Sequence, residues 1–386
     1  MKTYDVIIAG GGIIGGAIAF ELARQKLCVL VIDRQSPGRE ASWAAAGMLS
    51  PAPDSADAIP LVPLARTSLK IYPEFVAAVE GISGMSAGFR PHGAIEALFD
   101  VDAGNKLSAM IALHSALGLD TQLLHIEDAA VLEPHLNREI RAAAILPREA
   151  AVDNRALTAA VLRAAELSSV AVRANSSVEK LQYDETGRCV GVIASGEQIS
   201  AKHVVIAAGF ASHTIDGIAK YAPTCPIRGQ MVAFQSEQVD LHRVLRSERG
   251  YIVPRGKGRC VAGSTIENVG LEKRVTPHGV SKILNAAVEM VPALANAAIV
   301  ESWCGLRPDT PDHLPSLGPT NVEGLLIAAG HFRNGILLAP ITAKLIEEWI
   351  MKQRAPVDRD IDVNWDVFSP LRFATAAARA GSVRRA

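Results

Sequence analysis

The stretch from residue 4 to residue 33 constrains the fold more than any other part of the sequence. It opens with an unbroken apolar run, residues 6–9, which is typical of a strand buried on both faces. Three glycines follow, and apolar residues then recur at helical spacing up to about Gln25. A second apolar run, residues 28–32, ends at Asp33. This order predicts a strand, a glycine turn, a helix and a second strand, which is a βαβ unit.

Gly10, Gly12 and Gly15 stand in the G-x-G-x-x-G spacing of a dinucleotide site. The first permits a tight turn, the second lets the backbone approach a pyrophosphate, and the third lets helix and strand pack closely. The helix start offers unpaired N–H groups and partial positive charge to the phosphates. Asp33 is placed to accept hydrogen bonds from an adenosine ribose. The unit therefore predicts a dinucleotide site, but this fingerprint alone does not separate FAD from NAD.

Composition narrows the class of protein further. A chain of 386 residues with 49% hydrophobic residues is long enough for two or more domains with a large core. A net charge of −1 gives no field to attract nucleic acid or an anionic membrane. The five cysteines and ten histidines are scattered, which predicts reduced thiols and no metal site. The uncharged residues 6–20 are too short and too glycine-rich for a membrane span, so we expect a soluble, unprocessed, cytoplasmic protein.

Two further stretches have the composition expected beside a cofactor. Residues 34–53 are rich in glycine, alanine and serine, so a loop or helix start could come close to a flat molecule. On its own, this stretch is more often a plain alanine-rich helix. Residues 325–329 form another buried run that leads through a turn, residues 330–335, into the apolar helix 336–351. This turn again presents N–H groups at a helix start, although a purely structural βα unit would give the same pattern.

Residues 10–33 with 41–48, and the stretch GHFRNGILLAP at 330–340, resemble the D-amino-acid oxidase superfamily of FAD enzymes. Within it, the sequence is similar to the glycine oxidases associated with thiamine biosynthesis, over nearly the whole chain. The resemblance implies oxidative deamination of glycine or another small amino acid, such as sarcosine, D-alanine or D-proline. The products would be an oxo acid, ammonia and, from O2, hydrogen peroxide.

The resemblance also implies the cofactor, the partners and the architecture. FAD is expected to be non-covalent, because no cysteine or histidine stands in an attachment motif. The partners are a small amino acid and O2, with no nucleic acid, no membrane and a homo-oligomer, a tetramer by resemblance. The expected fold class is α/β, with a Rossmann-like FAD-binding domain and an interleaved antiparallel-sheet substrate domain that adds α+β elements. The FAD-binding domain is expected at 1–84, 148–222 and 311–373, the substrate domain at 85–147 and 223–310, and a flexible tail at 374–386.

By the same resemblance, the cofactor contacts come from both glycine turns and from the small-residue stretch between them. The expected set is Gly10, Gly12, Ile13, Ile14, Gly15, Asp33, Arg34, Ala41, Ser42, Ala46, Gly47, Met48, Val178, Ala208, Gly209, His331, Phe332, Arg333, Asn334, Gly335, Ile336 and Leu337.

An amino-acid oxidase must hold a carboxylate, expose a neutral amine and aim one Cα–H at the flavin. Arginine suits the carboxylate because its fork bonds two oxygens in one plane. The resemblance assigns this clamp to Arg307, a further contact to the Tyr251 hydroxyl, and a position between flavin and substrate to Arg333. A buried arginine could equally pair with a structural acid. No side chain is expected to act as an acid or base, because flavin N5 accepts the hydride.

Two positions depart from the glycine oxidase pattern. Arg249 stands two residues before Tyr251, where the pattern has a histidine. Ile266 stands where a methionine would line the pocket, and it keeps the wall apolar. Arg249 either admits a substrate with a second carboxylate or faces solvent, and we expect it to face solvent.

Other functions stay open on the sequence alone. The nearest is a D-amino-acid dehydrogenase that passes electrons to a quinone, or a sarcosine-oxidase-like enzyme. An NAD-dependent dehydrogenase is opposed by the second turn at residues 330–335. A non-catalytic or RNA-modifying relative is opposed by the near-neutral charge, since RNA binding needs a basic surface.

Overall fold

The computed structural model of the protein describes residues 3–352 and 363–374, so of the predicted tail only Ala374 lies within the described residues. Its strands are β1 Tyr4–Ala9, β2 Val29–Ile32, β3 Met48–Leu49, β4 Ala94–Leu98, β5 Gln122–Leu124, β6 Ala142–Leu146, β7 Ala150–Ala151, β8 Ala171–Arg173, β9 Val178–Tyr183, β10 Cys189–Ala194, β11 Glu197–Ile206, β12 Cys225–Gln235, β13 Val244–Ser247, β14 Gly250–Gly256, β15 Arg259–Gly263, β16 Ala298–Asp309, β17 Ser316–Pro319 and β18 Leu325–Ala329. Its α-helices are α1 Ile13–Arg24, α2 Ala41–Ala44, α3 Val62–Ser83, α4 Ala103–Ala116, α5 Ile126–Leu132, α6 Asn154–Leu167, α7 Pro277–Met290 and α8 Gly335–Lys352.

The first sheet has a parallel centre in the order β18-β11-β1-β2-β8. Strand β17 adds an antiparallel edge, and the β9–β10 hairpin pairs with the first half of β11. The predicted βαβ unit is the β1–α1–β2 segment at the middle of this sheet. The carboxyl ends of the parallel strands therefore lie at one edge, where ligands bind in open α/β sheets.

Both faces of the parallel centre are covered, which explains its unbroken apolar strands. Val6 and Ile8 pack on one face against α1, α3, α6 and α8. Ile7 and Ala9 pack on the other face against the β9–β10 hairpin and Tyr221. Every residue of β2 and β18 is buried for the same reason.

The second sheet has the order β16-β12-β15-β14-β13-β4-β6-β5, and only its β13–β4 pair is parallel. One face carries Val232, Phe234 and Ile252, which pack with α7. The opposite face carries Met231 and Trp303, which pack against the small side chains of Ala44 and Ala46 beside α2. This contact brings the two sheets together around the carboxyl edge of the first.

The expected fold class is confirmed: a doubly covered parallel sheet stands beside a largely antiparallel one. Strands of the first sheet come from residues 4–206 and 316–329, and those of the second from residues 94–146 and 225–309. The domain bounds stay a prediction. In the described part of the chain, no helix has both the length and the apolarity required to cross a bilayer.

The start of α8 depends on side chains from α3. Pro340 lies inside α8 and has no N–H, so the carbonyl of Ile336 lacks its usual helical donor. The Tyr72 hydroxyl, fully buried, supplies that hydrogen bond at 3.0 Å, and Ser68 Oγ bonds the next carbonyl, Leu337 O, at 2.5 Å. Tyr72 therefore repairs the defect that the proline creates.

We predict that Tyr72→Phe lowers the free energy of unfolding by about 1–3 kcal/mol, because it leaves the Ile336 carbonyl buried without a donor. Urea denaturation of the FAD-free protein measures this change. Tyr183→Phe is the matched control, since Tyr183 is 48% exposed, and it should cost no more than about 0.5 kcal/mol. Equal stabilities of the two variants would contradict the role given to Tyr72.

Candidate active site

A cavity of about 1210 Å³ lies between the carboxyl edge of the first sheet and the facing side of the second. Gly10 and Gly12, after β1, line it together with residues 330–335, after β18. Gly229, Tyr251 and Arg307 of the second sheet line its other side. The two predicted glycine turns therefore meet at one cavity, although they are more than 300 residues apart.

The first glycine turn leaves no space for side chains. A Cβ at Gly10, where φ is +111°, would lie 2.3 Å from the Ala207 carbonyl oxygen. A Cβ at Gly15 would lie 1.9 Å from the carbonyl oxygen of Gly10. Backbone rather than side chains therefore lines the cavity at this turn, which allows the close approach that a diphosphate requires.

Asp33 lies at the end of β2 and fixes the shape of this turn. One carboxylate oxygen accepts a hydrogen bond from the Gly11 N–H at 2.7 Å, and the other from the Gln35 N–H at 2.9 Å. A carboxylate has about four acceptor positions, so two remain for a ligand in the cavity that Asp33 lines. Helix α2 adds Ser42, whose Oγ accepts a hydrogen bond from Ile13 N at 2.9 Å.

The second turn begins α8 and is fastened to the second sheet. The N–H of Phe332 donates to the carbonyl of Pro308 at 2.8 Å, directly after Arg307 on β16. Gly335 and Ile336 are the first residues of α8 and line the cavity, and N–H groups in a first helical turn have no intrahelical acceptor. His331 donates to or accepts from Thr342 Oγ1 at 3.1 Å, and burial lowers its pKa to about 3, so the imidazole is neutral.

These features fit the FAD that the sequence resemblance implies. One end of the cavity offers crowded glycines, a helix start and a carboxylate for a diphosphate and a ribose. The other end offers a second helix start, which favours a negatively charged ring system. Small residues, at positions 207–209 and 44–47, also line the cavity.

Arg307 is held flat over a glycine at the side of the cavity. A Cβ at Gly229 would lie 2.2 Å from Arg307 Nη1, so any side chain there would push the guanidinium out of this position. Nη1 donates to Thr265 O at 3.1 Å and Nη2 to Ser264 Oγ at 2.8 Å, and the Tyr251 side chain lies nearby. Burial lowers the pKa of Arg307. Two of its five N–H groups are used by these acceptors, which leaves donors for a ligand.

The charges around Arg307 show why its position is unusual. Five arginines line the cavity within the described residues, namely Arg34, Arg246, Arg249, Arg307 and Arg333. Four of them form ion pairs, with Glu40, with Glu96 and Glu149, with Glu289 and Asp100, and with Asp54 respectively. No carboxylate of residues 3–352 or 363–374 lies within 4.0 Å of the Arg307 guanidinium. Arg307 is thus a partly buried cation with no acidic partner in this part of the chain.

The cavity brings together all the residues expected at the substrate and nearly all those expected at the cofactor. Arg249 is 61% exposed and its guanidinium is 2.5 Å from Glu289, so its charge is already compensated at the rim. Ile266, 58% exposed, also lies at the rim. Gly15 and Leu337 do not line the cavity: Gly15 packs under Gly10, and the Leu337 side chain is buried.

Sequence analysis missed the ion pairs at the substrate end. Arg246 bonds Glu149 at 3.1 Å and Ser50 Oγ at 2.9 Å, and its Nε lies 2.9 Å from Glu96. Burial raises the pKa of Glu149. In the register of β14, β13 and β4, Tyr251 lies opposite Arg246, which in turn lies opposite Glu96. The sequence VLRS of β13 has no apolar–polar alternation, so nothing local indicated these ion pairs.

Comparisons with known proteins were made for sequence and for structure. The family model described as FAD dependent oxidoreductase matches residues 5–349. The bifunctional protein ThiO/ThiG of Synechocystis sp. is 34% identical over 97% of this chain, which spans only 54% of that protein. The chain thus spans about half the length of such curated relatives.

Relatives that are named glycine oxidase match over nearly their full length. Glycine oxidase of Geobacillus kaustophilus is 32% identical over 92% of this chain and 95% of its own length. The crystal structure of glycine oxidase from that organism superposes with a TM-score of 0.87 at 30% identity, covering 96% of this chain and 98% of that one. Iminodiacetate oxidase from Chelativorans sp. BNC1 gives 0.84 at 27% identity, with 95% and 98% covered.

We predict that Gly10→Ala abolishes flavin retention, because the added methyl group meets the Ala207 carbonyl at 2.3 Å. The ratio of flavin to protein absorbance after purification measures retention. Gly104→Ala is the matched control: it lies in α4 with nothing within 4 Å of its added Cβ, and it should purify with the flavin content of the wild type. A yellow Gly10→Ala protein would contradict the assignment of this turn to the cofactor.

Proposed function

The chain belongs to the FAD-dependent oxidoreductase family, and from this premise we propose that it oxidises a small amino acid with O2. Membership confirms the expected cofactor, FAD held without a covalent bond. The proposed reaction oxidises glycine, sarcosine, D-alanine or D-proline to the imino acid while O2 is reduced to hydrogen peroxide. Water then hydrolyses the imino acid to the oxo acid and releases the amine, which is ammonia for glycine and D-alanine. The glycine oxidase relatives support this substrate class.

The observation that carries the proposal is the unpaired guanidinium of Arg307. A buried cation is costly unless an anion compensates it, and the four other cavity arginines already have acidic partners. An α-carboxylate supplies the missing charge and matches the fork of the guanidinium with two oxygens. The Tyr251 hydroxyl, beside Arg307, is placed to donate to the same carboxylate.

The rest of the mechanism concerns orientation. Bound FAD supplies a two-electron acceptor that O2 reoxidises to give hydrogen peroxide. The hydrogen bond from the Phe332 N–H to the Pro308 carbonyl holds the α8 turn beside the strand end that carries Arg307, so a small substrate whose carboxylate binds Arg307 would lie next to this turn. Arg333 lies on the same turn and is held by Asp54, so it borders the substrate without competing for the carboxylate.

We assign no side chain as a general base. Four carboxylates line the substrate end, and each is engaged by a cation: Asp54 by Arg333, Glu96 by Arg246, Glu248 by Lys106 and Glu289 by Arg249. The substrate amine therefore has to arrive neutral or lose its proton to water. Position and charge are the protein's contributions to such a reaction.

A cytoplasmic location and a homo-oligomeric assembly belong to the same proposal. All five cysteines are free thiols, which supports a reducing compartment such as the cytoplasm. The relatives do not favour a nicotinamide-dependent dehydrogenase, since the matching family is FAD-dependent.

Peroxide formation tests the activity. The purified yellow protein is mixed in air with glycine, sarcosine, D-alanine, D-proline or D-glutamate, and peroxide is measured. We expect turnover with at least one of the first four and weak turnover with D-glutamate, because Arg249 is already paired with Glu289. Flavin that is reduced by an amino acid yet reoxidised only by a quinone would instead support the dehydrogenase alternative. Absence of flavin reduction by every amino acid would exclude both.

We predict that Arg307→Met lowers kcat/KM at least about 30-fold while FAD content stays normal. Loss of a buried charge pair costs about 2–5 kcal/mol, and each 1.4 kcal/mol is a factor of ten. Gly229→Ala should act in the same direction, because its Cβ would displace the guanidinium. Arg148→Met, at an arginine that is 80% exposed, is the control and should leave kcat/KM unchanged. A near-normal kcat/KM for Arg307→Met would refute the clamp.

A further inference from the structure

The backbone carbonyls of residues 42, 43, 44 and 46 accept hydrogen bonds from side chains of distant elements. Asn154 Nδ2 donates to Ser42 O at 2.8 Å and to Trp43 O at 2.9 Å. The remaining donors are Arg155 Nε to Trp43 O at 3.2 Å, Trp303 Nε1 to Ala44 O at 3.0 Å and Arg255 Nη2 to Ala46 O at 2.6 Å. A four-residue helix such as α2 cannot hold its own carbonyls, so these bonds fix its position.

The opposite side of the same segment forms the wall of the cofactor cavity. Residues 41, 42 and 44–47 line the cavity, and Ser42 Oγ accepts a hydrogen bond from the N–H of Ile13 at the start of α1. The segment lies between the glycine turn and the second sheet. A shift of α2 therefore changes the shape of the cavity where the diphosphate is expected.

Arg155 joins these fixing contacts into one cluster. Its guanidinium makes two hydrogen bonds of 2.9 Å to the two carboxylate oxygens of Glu301 on β16. Its Cζ also lies 3.7 Å from the centre of the Trp43 ring and 4.6 Å from that of Trp303. The fork and the flat face of one side chain are thus used at once, which lysine cannot reproduce.

We propose that Arg155 is a positioning residue for FAD, acting through α2 from outside the cavity. It ties α6 and β16 to Trp43 and keeps the 41–47 wall in the place that the cofactor needs. Arg155 itself does not line the cavity, so its effect on FAD is indirect. The property that Arg155 affects is the affinity for FAD, which does not depend on which amino acid is oxidised.

The test is a titration of apoprotein with FAD, followed by flavin fluorescence, with no amino acid present. Arg155→Met should raise the Kd for FAD at least about tenfold, and Arg155→Lys should raise it nearly as much. Arg163→Met is the matched control on the same helix, since Arg163 is 52% exposed and pairs only with Glu166. Its Kd should lie within twofold of the wild type. A wild-type Kd for Arg155→Met overturns the proposal, and a wild-type Kd for Arg155→Lys overturns the argument from fork and stacking.

Further measurements separate positioning from general destabilisation. Circular dichroism of each apoprotein fixes a temperature at which it is fully folded, and all titrations are made there. At saturating FAD, kcat and KM for the amino acid should equal those of the wild type; a lowered kcat with an unchanged Kd would place Arg155 on the substrate side and refute the proposal. If Arg155→Met does not fold, Trp303→Phe decides, because it removes the bond to Ala44 O and replaces the indole beside the Arg155 guanidinium with a smaller ring, and it should raise the Kd about threefold. An unchanged Kd there overturns the proposal.

Discussion

Close approach of the backbone to a shared cavity is the constraint on which the rest of the structure depends. Gly10 lies so near Ala207, which follows β11, that no side chain fits at this glycine. Strand β18 pairs with β11 and leads into the turn that starts α8. Parallel strands deliver both turns to one edge, and the apolar helices behind them hold that edge rigid. Even the proline inside α8 is accommodated, because Tyr72 provides the donor that its helix lacks.

The charges at the other side of the cavity leave Arg307 as the arginine without an acidic partner in the described part of the chain. Arg333, Arg249 and Arg246 each have acidic partners, and these pairs compensate the charges at the rim and along the wall. Arg307 is instead held by two neutral oxygens, from Ser264 and Thr265, which orient the guanidinium without neutralising it. In the proposed reaction, this arrangement selects a carboxylate by position and charge, and redox chemistry is left to the cofactor.

Sequence patterns predicted those parts of the fold that depend on residues close together in the chain. The β1–α1–β2 unit could be predicted because glycine spacing, helical periodicity and Asp33 all lie within thirty residues. The ion-pair partners of the charged residues could not be predicted, because they lie on elements that are distant in the sequence. Arg249 was recognised as a departure, yet its neutralisation by Glu289 depends on how α7 packs. Likewise, Trp43 and Arg155 lie 112 residues apart, and nothing local to either indicates their contact.

The most direct measurement of the central claim is a crystal structure of the FAD-loaded protein with a small carboxylate that cannot be oxidised. The account predicts the diphosphate at the Gly10–Gly12 turn, the flavin ring beside residues 330–335, and both carboxylate oxygens within about 3 Å of Arg307 nitrogens. A carboxylate bound elsewhere in the cavity, with Arg307 turned toward a protein acid, would contradict it.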